Sequence, residues 1–405
     1  MLQSQVPEAD WADTFLSAEH LLGSFPLAAV VRLADAGGAP LSPRDAAAVP
    51  PFRLRVTSGA GGDEVVATPY VLPSQGPFPQ DQPKRNTVPF TPTQIEAIRS
   101  GLNPGLTMIV GPPGTGKTDV AVQIIVNLYR NFPSQRILLI AHSNQALNDL
   151  FEKIMARDIP EWHLLRLGTG ERDLSTEKDF SKWGRVEYSL ERRLALLSEV
   201  ERLATALGVP TDFGYTCETA DTMYKFHVAP RILEFEAACA AGGEAGLPGD
   251  KFPFSKYFAD APGGLAGVFR RTSFAEDLDA ARGCIRHVNR VFEELARCGH
   301  ARALVLCARV RGLTRTRARS YRALELLRAS VKRQDYMMTT QARVVAMTCT
   351  HAAIMRHRLH ELRFHYDSVV MEEAAQVTEI ETFIPIALQV RAWRYAFPYA
   401  AVRAS

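Results

Sequence analysis

The residues with the clearest chemical potential lie at 111–118, which read Gly-Pro-Pro-Gly-Thr-Gly-Lys-Thr. Gly111, Gly116, Lys117 and Thr118 match the spacing G-x-x-x-x-G-K-[ST] of a phosphate-binding loop (P-loop). In such a loop the glycines let the backbone curl, so that successive amide groups point at phosphate oxygens. The lysine reaches the β- and γ-phosphates of a nucleotide, and the threonine hydroxyl ligates Mg²⁺. The segment therefore predicts a site for a nucleoside triphosphate and Mg²⁺.

The sequence on either side of this loop supports that interpretation. Leu106–Val110 is a short apolar run that is typical of a buried strand. Asp119–Tyr129 has helical character, and the positive N-terminus of such a helix faces the bound anion. The alternative is a glycine-rich turn that matches by chance, and a strand before the loop with a helix after it argues against that alternative.

A pair of acids supplies the second half of the predicted site. Tyr366–Met371 is an apolar, strand-like run that ends in Glu372 and Glu373. One carboxylate at such a strand end holds Mg²⁺, and the next positions and deprotonates the attacking water. The alternative is the exposed acidic start of a helix, since acids favour a helix N-terminus. The phosphate-binding loop upstream favours the first interpretation.

An upstream glutamine is a candidate contact to an adenine base. Thr91 and Pro92 have the character of an N-cap and a first helical residue, so a helix is expected to begin there. Gln94 lies in its first turn, and a glutamine amide pairs with the N6 and N7 edge of adenine. A solvated glutamine on a helix surface is the equally weighted alternative.

Small polar side chains follow two further strand-like runs, Arg136–Ile140 and Ala342–Met347. After the first run come Ser143, Asn144 and Gln145, and after the second come Thr348, Thr350 and His351. Such side chains at strand ends suit contacts to a nucleic-acid backbone, and we predict that role for all six. The alternative for Ser143 and Asn144 is helix capping.

The rest of the chain divides into regions that position these residues. Residues 1–85 are predicted to be a β-rich, barrel-like region with a helix over Asp10–Leu22 and strands at Ala28–Leu33, Phe52–Val56 and Glu64–Val71. The polar, proline-rich Gln75–Asn86 has the composition of a linker. Residues 86–173 and 336–389 alternate strands and helices, whereas 174–335 shows long helical spacing and is predicted to be a helical insertion.

Composition limits the classes of protein to which the chain can belong. Its 405 residues are 46% hydrophobic and 22% charged, which is typical of a globular protein with room for more than one domain. The net charge of +3 permits a nucleic-acid partner without arguing for one. The six cysteines form no C-x-x-C pair, so we expect reduced thiols rather than disulfides or a zinc site. We expect no membrane span and no signal peptide.

Five features resemble, in type and order, those of superfamily 1 helicases of the Upf-like group. They are Gln94, the loop GPPGTGKT, the segments AHSNQALN and AMTCTHAA, and the acids EEAAQ. Longer runs such as GLTMIVGPPGTGKTDVAVQII and MEEAAQVTEIETFIP narrow the resemblance to the intron-binding RNA helicases of the spliceosome. The resemblance implies an α/β fold with a RecA-like P-loop NTPase lobe, a parallel sheet, a small N-terminal β domain and a helical stalk insertion. It also implies ATP-driven RNA unwinding in pre-mRNA splicing, spliceosomal protein partners and a nuclear location.

The resemblance also assigns roles to individual residues. It places Gln94 at adenine and the segment Gly114, Thr115, Gly116, Lys117, Thr118 at the phosphates. Glu372 would hold Mg²⁺, Glu373 would act on the attacking water, and Gln376 would sense the γ-phosphate. Most relatives in the wider superfamily have Asp where this chain has Glu372, which changes the reach of that carboxylate.

Two segments, 298–320 and 390–405, match nothing in the resembling family, and we predict that they stay outside the core. No stretch matches the second RecA-like lobe, so we expect weak ATP turnover and no unwinding from this chain alone. Two alternative functions remain open. One is a non-catalytic nucleotide- or RNA-binding scaffold in a splicing complex, and the other is a DNA-directed helicase of superfamily 1. Backbone contacts carry too little base information to distinguish RNA from DNA.

Overall fold

The computed structural model describes residues 8–25, 30–59, 62–214, 216–242, 252–269, 273–296 and 330–388. The predicted unmatched segments 298–320 and 390–405 lie outside these residues. The described chain forms two compact units. One unit contains the described parts of Met1–Leu72, Lys84–Arg185 and Met337–Ser405, and the other contains Pro73–Pro83 with the described parts of Val186–Tyr336.

The first unit begins with a small mixed sheet. Its elements are β1 (Ala9–Trp11), α1 (Ala18–Gly23), β2 (Val30–Leu33), β3 (Phe52–Gly59) and β4 (Gly62–Pro69). The strand order is β1-β3-β4-β2; β3 is antiparallel to both neighbours, and β2 runs parallel to β4. The three predicted strands are therefore present in the described residues.

The predicted single helix over Asp10–Leu22 is wrong. Its start is strand β1, which pairs with β3, and helix α1 begins only at Ala18, where the Ser17 hydroxyl accepts a hydrogen bond from the backbone amide of His20. Trp11 and Phe15 are buried between these two elements, so their spacing serves a strand followed by a turn. Pairing with a distant strand has overridden the local helical pattern.

A four-stranded parallel sheet forms the rest of the first unit. The chain passes through α2 (Pro92–Leu102), α3 (Lys117–Asn131), β5 (Ile137–Ala141), α4 (Asn144–Met155) and β6 (Leu164–Arg166). The second unit then contains most of α5 (Lys182–Leu207), together with α6 (Cys217–Met223), α7 (Ala229–Gly242), α8 (Gly264–Val268), α9 (Phe274–Ala296) and α10 (Ser330–Tyr336). The first unit resumes with β7 (Val344–Thr348), α11 (Cys349–Glu361), β8 (Ser368–Glu372) and α12 (Glu379–Ala387).

The strand order in this sheet is β6-β7-β5-β8, with every pair parallel. Alternate residues of β5 enter two different apolar clusters: Ile137 and Leu139 pack with α3 and α4, whereas Leu138 and Ile140 pack with α11. A parallel sheet covered on both faces requires continuous apolar strands, which this sequence supplies. The predicted α/β fold with a parallel sheet is confirmed.

The predicted buried strand at Leu106–Val110 is not present. Residues 106–110 adopt no strand, and Leu106, Met108 and Val110 are 80–90% exposed. An apolar run becomes a strand only where another strand pairs with it, and no strand in the described part of the chain does so. The error arose because the local apolar pattern does not encode the pairing partner.

The second unit is helical. Within it, Asp81 of the predicted linker Gln75–Asn86 is held against helix α9. Asp81 is buried and lies 3.0 Å from His287 Nδ1 and 3.2 Å from Arg290 Nη1, both on α9. This part of Gln75–Asn86 is therefore held by a hydrogen bond and an ion pair and does not behave as a solvated linker. Among the described residues, no helix combines the length and apolar character needed to cross a membrane.

A buried polar cluster fixes helix α3 within the first unit. This Asp13 cluster consists of Asp13, Thr14, Asn86, Gln123 and Arg157. Asp13 Oδ2 lies 3.1 Å from Arg157 Nη2, and Gln123 Nε2 donates to Asp13 Oδ1 at 2.8 Å and to Thr14 Oγ1 at 2.6 Å. The backbone amide of Asn86 donates to Asp13 Oδ2 at 3.2 Å. One carboxylate thus connects the N-terminal region, the residues before α2 and the helix of the phosphate-binding loop.

We expect Asp13→Ala to lower the free energy of unfolding by about 3–5 kcal/mol, because it removes the carboxylate that pairs with the buried Arg157 charge and one acceptor of the Gln123 amide. Chemical denaturation of the purified chain measures this loss. The matched control is Asp10→Ala, whose carboxylate pairs with Arg53 at 2.6 Å with both side chains well exposed, 37% and 43%. That change should cost at most about 1 kcal/mol. Equal losses for both variants would contradict the structural role of the Asp13 cluster.

Candidate functional site

The phosphate-binding loop lies directly before α3 and depends on its glycines. Gly114 and Gly116 have φ angles of 79° and 73°, in the left-handed region that favours glycine. A Cβ atom at Gly116 would also lie 2.8 Å from Nε2 of Gln94. Gly116 is the N-cap of α3, so the helix begins at Lys117 with its amide groups directed toward the loop.

The ammonium group of Lys117 contacts the backbone of the phosphate-binding loop. Its Nζ donates to the carbonyl oxygens of Gly111 at 2.8 Å and Pro112 at 2.9 Å. The Thr115 hydroxyl donates to the Pro112 carbonyl at 2.8 Å and closes the turn. The cationic group therefore lies at the concave side of the backbone curl, where an anion would meet it.

The structure brings the loop and the acid pair together. The Thr118 hydroxyl donates to Oε1 of Glu372 at 2.7 Å, joining the first turn of α3 to the carboxyl end of β8. Both atoms are hard oxygen donors, the ligand type that Mg²⁺ prefers. Thr118 and Glu372 are therefore a suitable pair to hold this ion through oxygen atoms.

Glu373 follows in a strained conformation. Its φ and ψ are 52° and 38°, the left-handed region that a glutamate seldom adopts. The turn ends β8 and starts a short 3-10 helix over Ala374–Gln376, in which the Gln376 amide donates to the Glu373 carbonyl at 2.9 Å. Glu373 and Gln376 are exposed, so both side chains are accessible from solvent.

Gln94 has intramolecular partners for both ends of its amide. Its Oε1 accepts from the backbone amide of Thr91 at 2.8 Å as part of a capping box, and its Nε2 donates to the Thr115 carbonyl at 3.0 Å. The predicted helix start at Thr91 and Pro92 is confirmed. The position next to the loop agrees with a nucleotide contact, while the adenine role stays a prediction.

Several of the six predicted nucleic-acid contacts are engaged within the protein. Ser143 and Thr348 are N-caps of α4 and α11, since their hydroxyls accept from the amides of Ala146 and His351. Gln145 Nε2 donates to Asp149 Oδ1 at 2.8 Å. Thr350 is exposed, and Asn144 is exposed with its oxygen bound to an arginine.

That arginine, Arg166, is the residue that sequence reasoning missed. It ends β6, is 1% exposed, and donates to Oδ1 of Asn148 at 3.0 Å and Oδ1 of Asn144 at 2.8 Å. Burial lowers the pKa of Arg166 to about 10, which leaves it charged at neutral pH. The available signal was a single arginine in an otherwise apolar strand, because such a charge is buried only with partners.

His351 lies close to the same group. A Cβ atom at Gly168, the residue after Leu167, would lie 3.4 Å from the His351 ring, and Gly168 has a φ of 104°. Burial, together with the charges of Lys182 and Arg166, lowers the pKa of His351 below its ordinary value. The imidazole is therefore neutral at physiological pH and contributes a hydrogen-bonding group rather than a charge.

Most of these groups lie at the carboxyl ends of parallel strands or in the turns and helix starts that follow them, and the phosphate-binding loop reaches the same edge through the hydrogen bond from Thr118 to Glu372. Ala141 is paired in register with Thr348 and with Glu372, so the ends of β7, β5 and β8 are level. Open parallel sheets bind ligands at this edge. A phosphate-binding loop, an acid pair and a parallel sheet define the class as a P-loop nucleotide-binding lobe.

Comparison with known proteins agrees with this class. Residues 89–392 match a family model described as AAA domain, and the chain belongs to this family. The match covers most of the described site, from the residues before α2 to the acid pair. The predicted P-loop lobe is confirmed at the level of the family.

The chain is also similar to individual curated proteins. It is 48% identical over 414 residues to RNA helicase aquarius of Mus musculus, covering 96% of this chain and 26% of that protein. It is 22% identical over 298 residues to the pre-mRNA-splicing factor cwf11 of Schizosaccharomyces pombe, covering 73% and 21%. It is 37% identical over 89 residues to the DNA polymerase alpha-associated DNA helicase A of Saccharomyces cerevisiae, covering 22% and 13%. The resemblance predicted from the motifs is confirmed, and the chain spans about a quarter of the length of the first of these relatives.

We expect Glu373→Gly to raise the free energy of unfolding by about 1 kcal/mol, because glycine removes the cost of the left-handed conformation. Thermal unfolding measures the gain. Arg363→Gly is the matched control, since Arg363 has a φ of 49° and lies in an exposed turn outside the site. Both variants should be stabilised, but only Glu373→Gly should lose ATP hydrolysis. A stability loss at Glu373 would contradict the strained turn.

Proposed function

We propose that this chain is the nucleotide-binding lobe of an ATP-dependent RNA helicase that acts in pre-mRNA splicing. The observation that carries the proposal is the 2.7 Å hydrogen bond between Thr118 and Glu372. This bond supports the proposal because it joins a residue of the phosphate-binding loop helix to a residue of the acid pair, the two residues that the proposal assigns to the metal ion. A chance loop motif and an unrelated acidic turn have no reason to meet in this way.

In this proposal, separate residues of the chain bind the phosphates, hold the metal ion and act on the attacking water. Lys117 neutralises charge on the β- and γ-phosphates, and the amides of the loop and of the first turn of α3 bind phosphate oxygens. Thr118 and Glu372 hold Mg²⁺, which supplies charge neutralisation at the phosphates when bound. Glu373 orients the attacking water and accepts its proton. Gln94 lies against the loop at the adenine side, and Gln376 senses the γ-phosphate.

Single-stranded RNA is the proposed second ligand. Asn144, Thr350 and His351 lie just beyond the carboxyl ends of β5 and β7 and offer neutral polar groups to a sugar–phosphate backbone. The names of the mouse and fission-yeast relatives, an RNA helicase and a pre-mRNA-splicing factor, support a nuclear, spliceosomal setting. Pre-mRNA introns and spliceosomal proteins are the corresponding partners.

Two other functions make different predictions for the same assay. A non-catalytic scaffold would bind nucleotide or RNA without turnover, and a DNA-directed helicase would be stimulated at least as well by DNA. The relative that is named a DNA helicase matches only 22% of this chain. Steady-state ATP turnover, measured alone, with single-stranded RNA and with DNA of the same sequence, separates the three functions.

We expect Lys117→Ala to weaken binding of a labelled, non-hydrolysable ATP analogue roughly ten- to hundred-fold, because the triphosphate loses a charge-assisted partner. Equilibrium binding by fluorescence anisotropy measures the change. The control is Lys178→Ala, which removes a lysine that pairs with Glu161 at 2.6 Å on the surface. Equal affinities of the Lys117 variant and the parent would refute the assignment of this loop.

The two glutamates should respond differently to the same isosteric change. Glu372→Gln should raise the Mg²⁺ concentration needed for analogue binding, because an amide oxygen is a weaker ligand than a carboxylate. Glu373→Gln should leave Mg-dependent binding unchanged while abolishing whatever turnover the parent shows. A magnesium titration of binding checks the first expectation, and turnover checks the second. Parent-like behaviour of both variants would remove the acid pair from the site.

A further inference from the structure

Arg166 has every feature of a residue that orients another side chain. Its guanidinium is buried at the end of β6, and its donors reach the side-chain oxygens of Asn144 and Asn148 and the carbonyl of Leu167. An arginine can only donate hydrogen bonds. Both asparagine amides must therefore turn their oxygen atoms toward Arg166 and their NH₂ groups away from it.

The two asparagines differ in what the NH₂ group meets. Asn148 is buried, and its Nδ2 donates to the Gly170 carbonyl at 2.7 Å, so its amide is satisfied on both sides. Asn144 is exposed, and within the described residues its Nδ2 donates to no protein atom. Asn148 is thus held by hydrogen bonds at both ends of its amide, whereas Asn144 is held through its oxygen and keeps N–H donors free for a ligand.

Gly170 is part of this arrangement. A Cβ atom there would lie 2.4 Å from Cγ of Asn144 and 2.8 Å from Nη2 of Arg166. Only glycine lets the Asn144 amide reach the guanidinium. The sequence Arg166-Leu167-Gly168-Thr169-Gly170 therefore supplies both the donor and the space that the oriented amide needs.

We propose that Arg166 is a positioning residue that locks the Asn144 amide so that its N–H donors bind a phosphate group of the nucleic-acid strand. The inference rests on the proposed function, since it deepens the RNA site at this edge of the sheet. An outward-facing donor pair selects a group that only accepts hydrogen bonds, and phosphate oxygens are such a group. A phosphate contact holds the strand in register without reading its bases.

The decisive variant is Asn144→Asp, which keeps the shape and the oxygen that faces Arg166 but replaces the donor with a second acceptor. We expect its affinity for a fluorescent single-stranded oligouridylate to fall roughly ten- to hundred-fold, and equally for the matching DNA. Its thermal stability should not fall, because the carboxylate pairs with Arg166. Ile354→Glu, which adds the same charge at an exposed position farther along α11, should retain most of the binding.

Two further variants test the positioning role. Gly170→Ala should push the exposed Asn144 amide away from Arg166 and lower RNA affinity, and it should also lower thermal stability because the new Cβ crowds the buried guanidinium. Arg166→Lys cannot hold both asparagines, so it should weaken binding in the parent but have no further effect in an Asn144→Ala background. Equal fold-losses in both backgrounds would show a merely structural arginine and overturn the proposal.

The remaining outcomes are also decisive. Parent-like RNA affinity of Asn144→Asp, or a loss confined to RNA and absent with DNA, would overturn the phosphate contact. A drop in thermal stability of Asn144→Asp would overturn the Arg166 contact itself, whether or not RNA binds. A parent chain that bound no RNA at all would refute the proposed RNA site, and the inference with it, while the stability measurement would still report on the amide orientation.

Discussion

The position of helix α3 is the constraint on which the nucleotide site depends, and it is set by buried polar contacts as much as by apolar packing. Gln123, fully buried in the middle of this helix, donates its amide hydrogen bonds mainly to Asp13 and Thr14. An unpaired buried amide costs about 1–3 kcal/mol, so a rotation or shift of the helix is penalised in a way that apolar contacts alone do not ensure. Because the last two residues of the phosphate-binding loop, Lys117 and Thr118, are the first two residues of α3, the Asp13 cluster also fixes where Thr118 meets Glu372.

The parallel sheet then gathers groups that lie far apart in the sequence. The ends of β5, β6, β7 and β8 carry, in turn, the polar run that starts α4, Arg166, the cap of α11, and the acid pair. In a parallel sheet all carboxyl ends share one edge, so each strand contributes a side chain or a turn to the same region. The two proposed ligands use different parts of this edge: the nucleotide lies at β8 and α3, and the nucleic-acid strand at β5, β6 and β7.

Much of this could be predicted from the sequence because the signals are local. The phosphate-binding loop, the helix start at Thr91 and the apolar strands β5, β7 and β8 all depend on residues within a few positions of one another. The failures share the opposite property. Leu106–Val110 has the composition of a strand, but its state depends on a pairing partner that local composition does not name. The left-handed turn at Glu373 and the partners of Arg166 likewise depend on how the chain folds rather than on local composition. Glu372, the residue before the turn, accepts a hydrogen bond from Thr118, 254 positions away, and Arg166 donates to Asn144 and Asn148 on another element.

Two arginines at opposite ends of the parallel strands, Arg136 half-buried and Arg166 buried, differ in the groups to which their guanidinium groups donate. Arg136, just before β5, donates to the backbone carbonyls of Met338, Thr339, Ala342 and His365. Burial lowers the pKa of Arg136 to about 10, and backbone oxygens accept its hydrogen bonds, so this half-buried arginine joins several chain segments. Arg166, with a pKa lowered equally far, donates mainly to asparagine side chains, one of which ends at the surface. Arg136 therefore stabilises the fold through the backbone, whereas the proposed role of Arg166 is to fix which hydrogen-bonding groups of Asn144 a ligand meets.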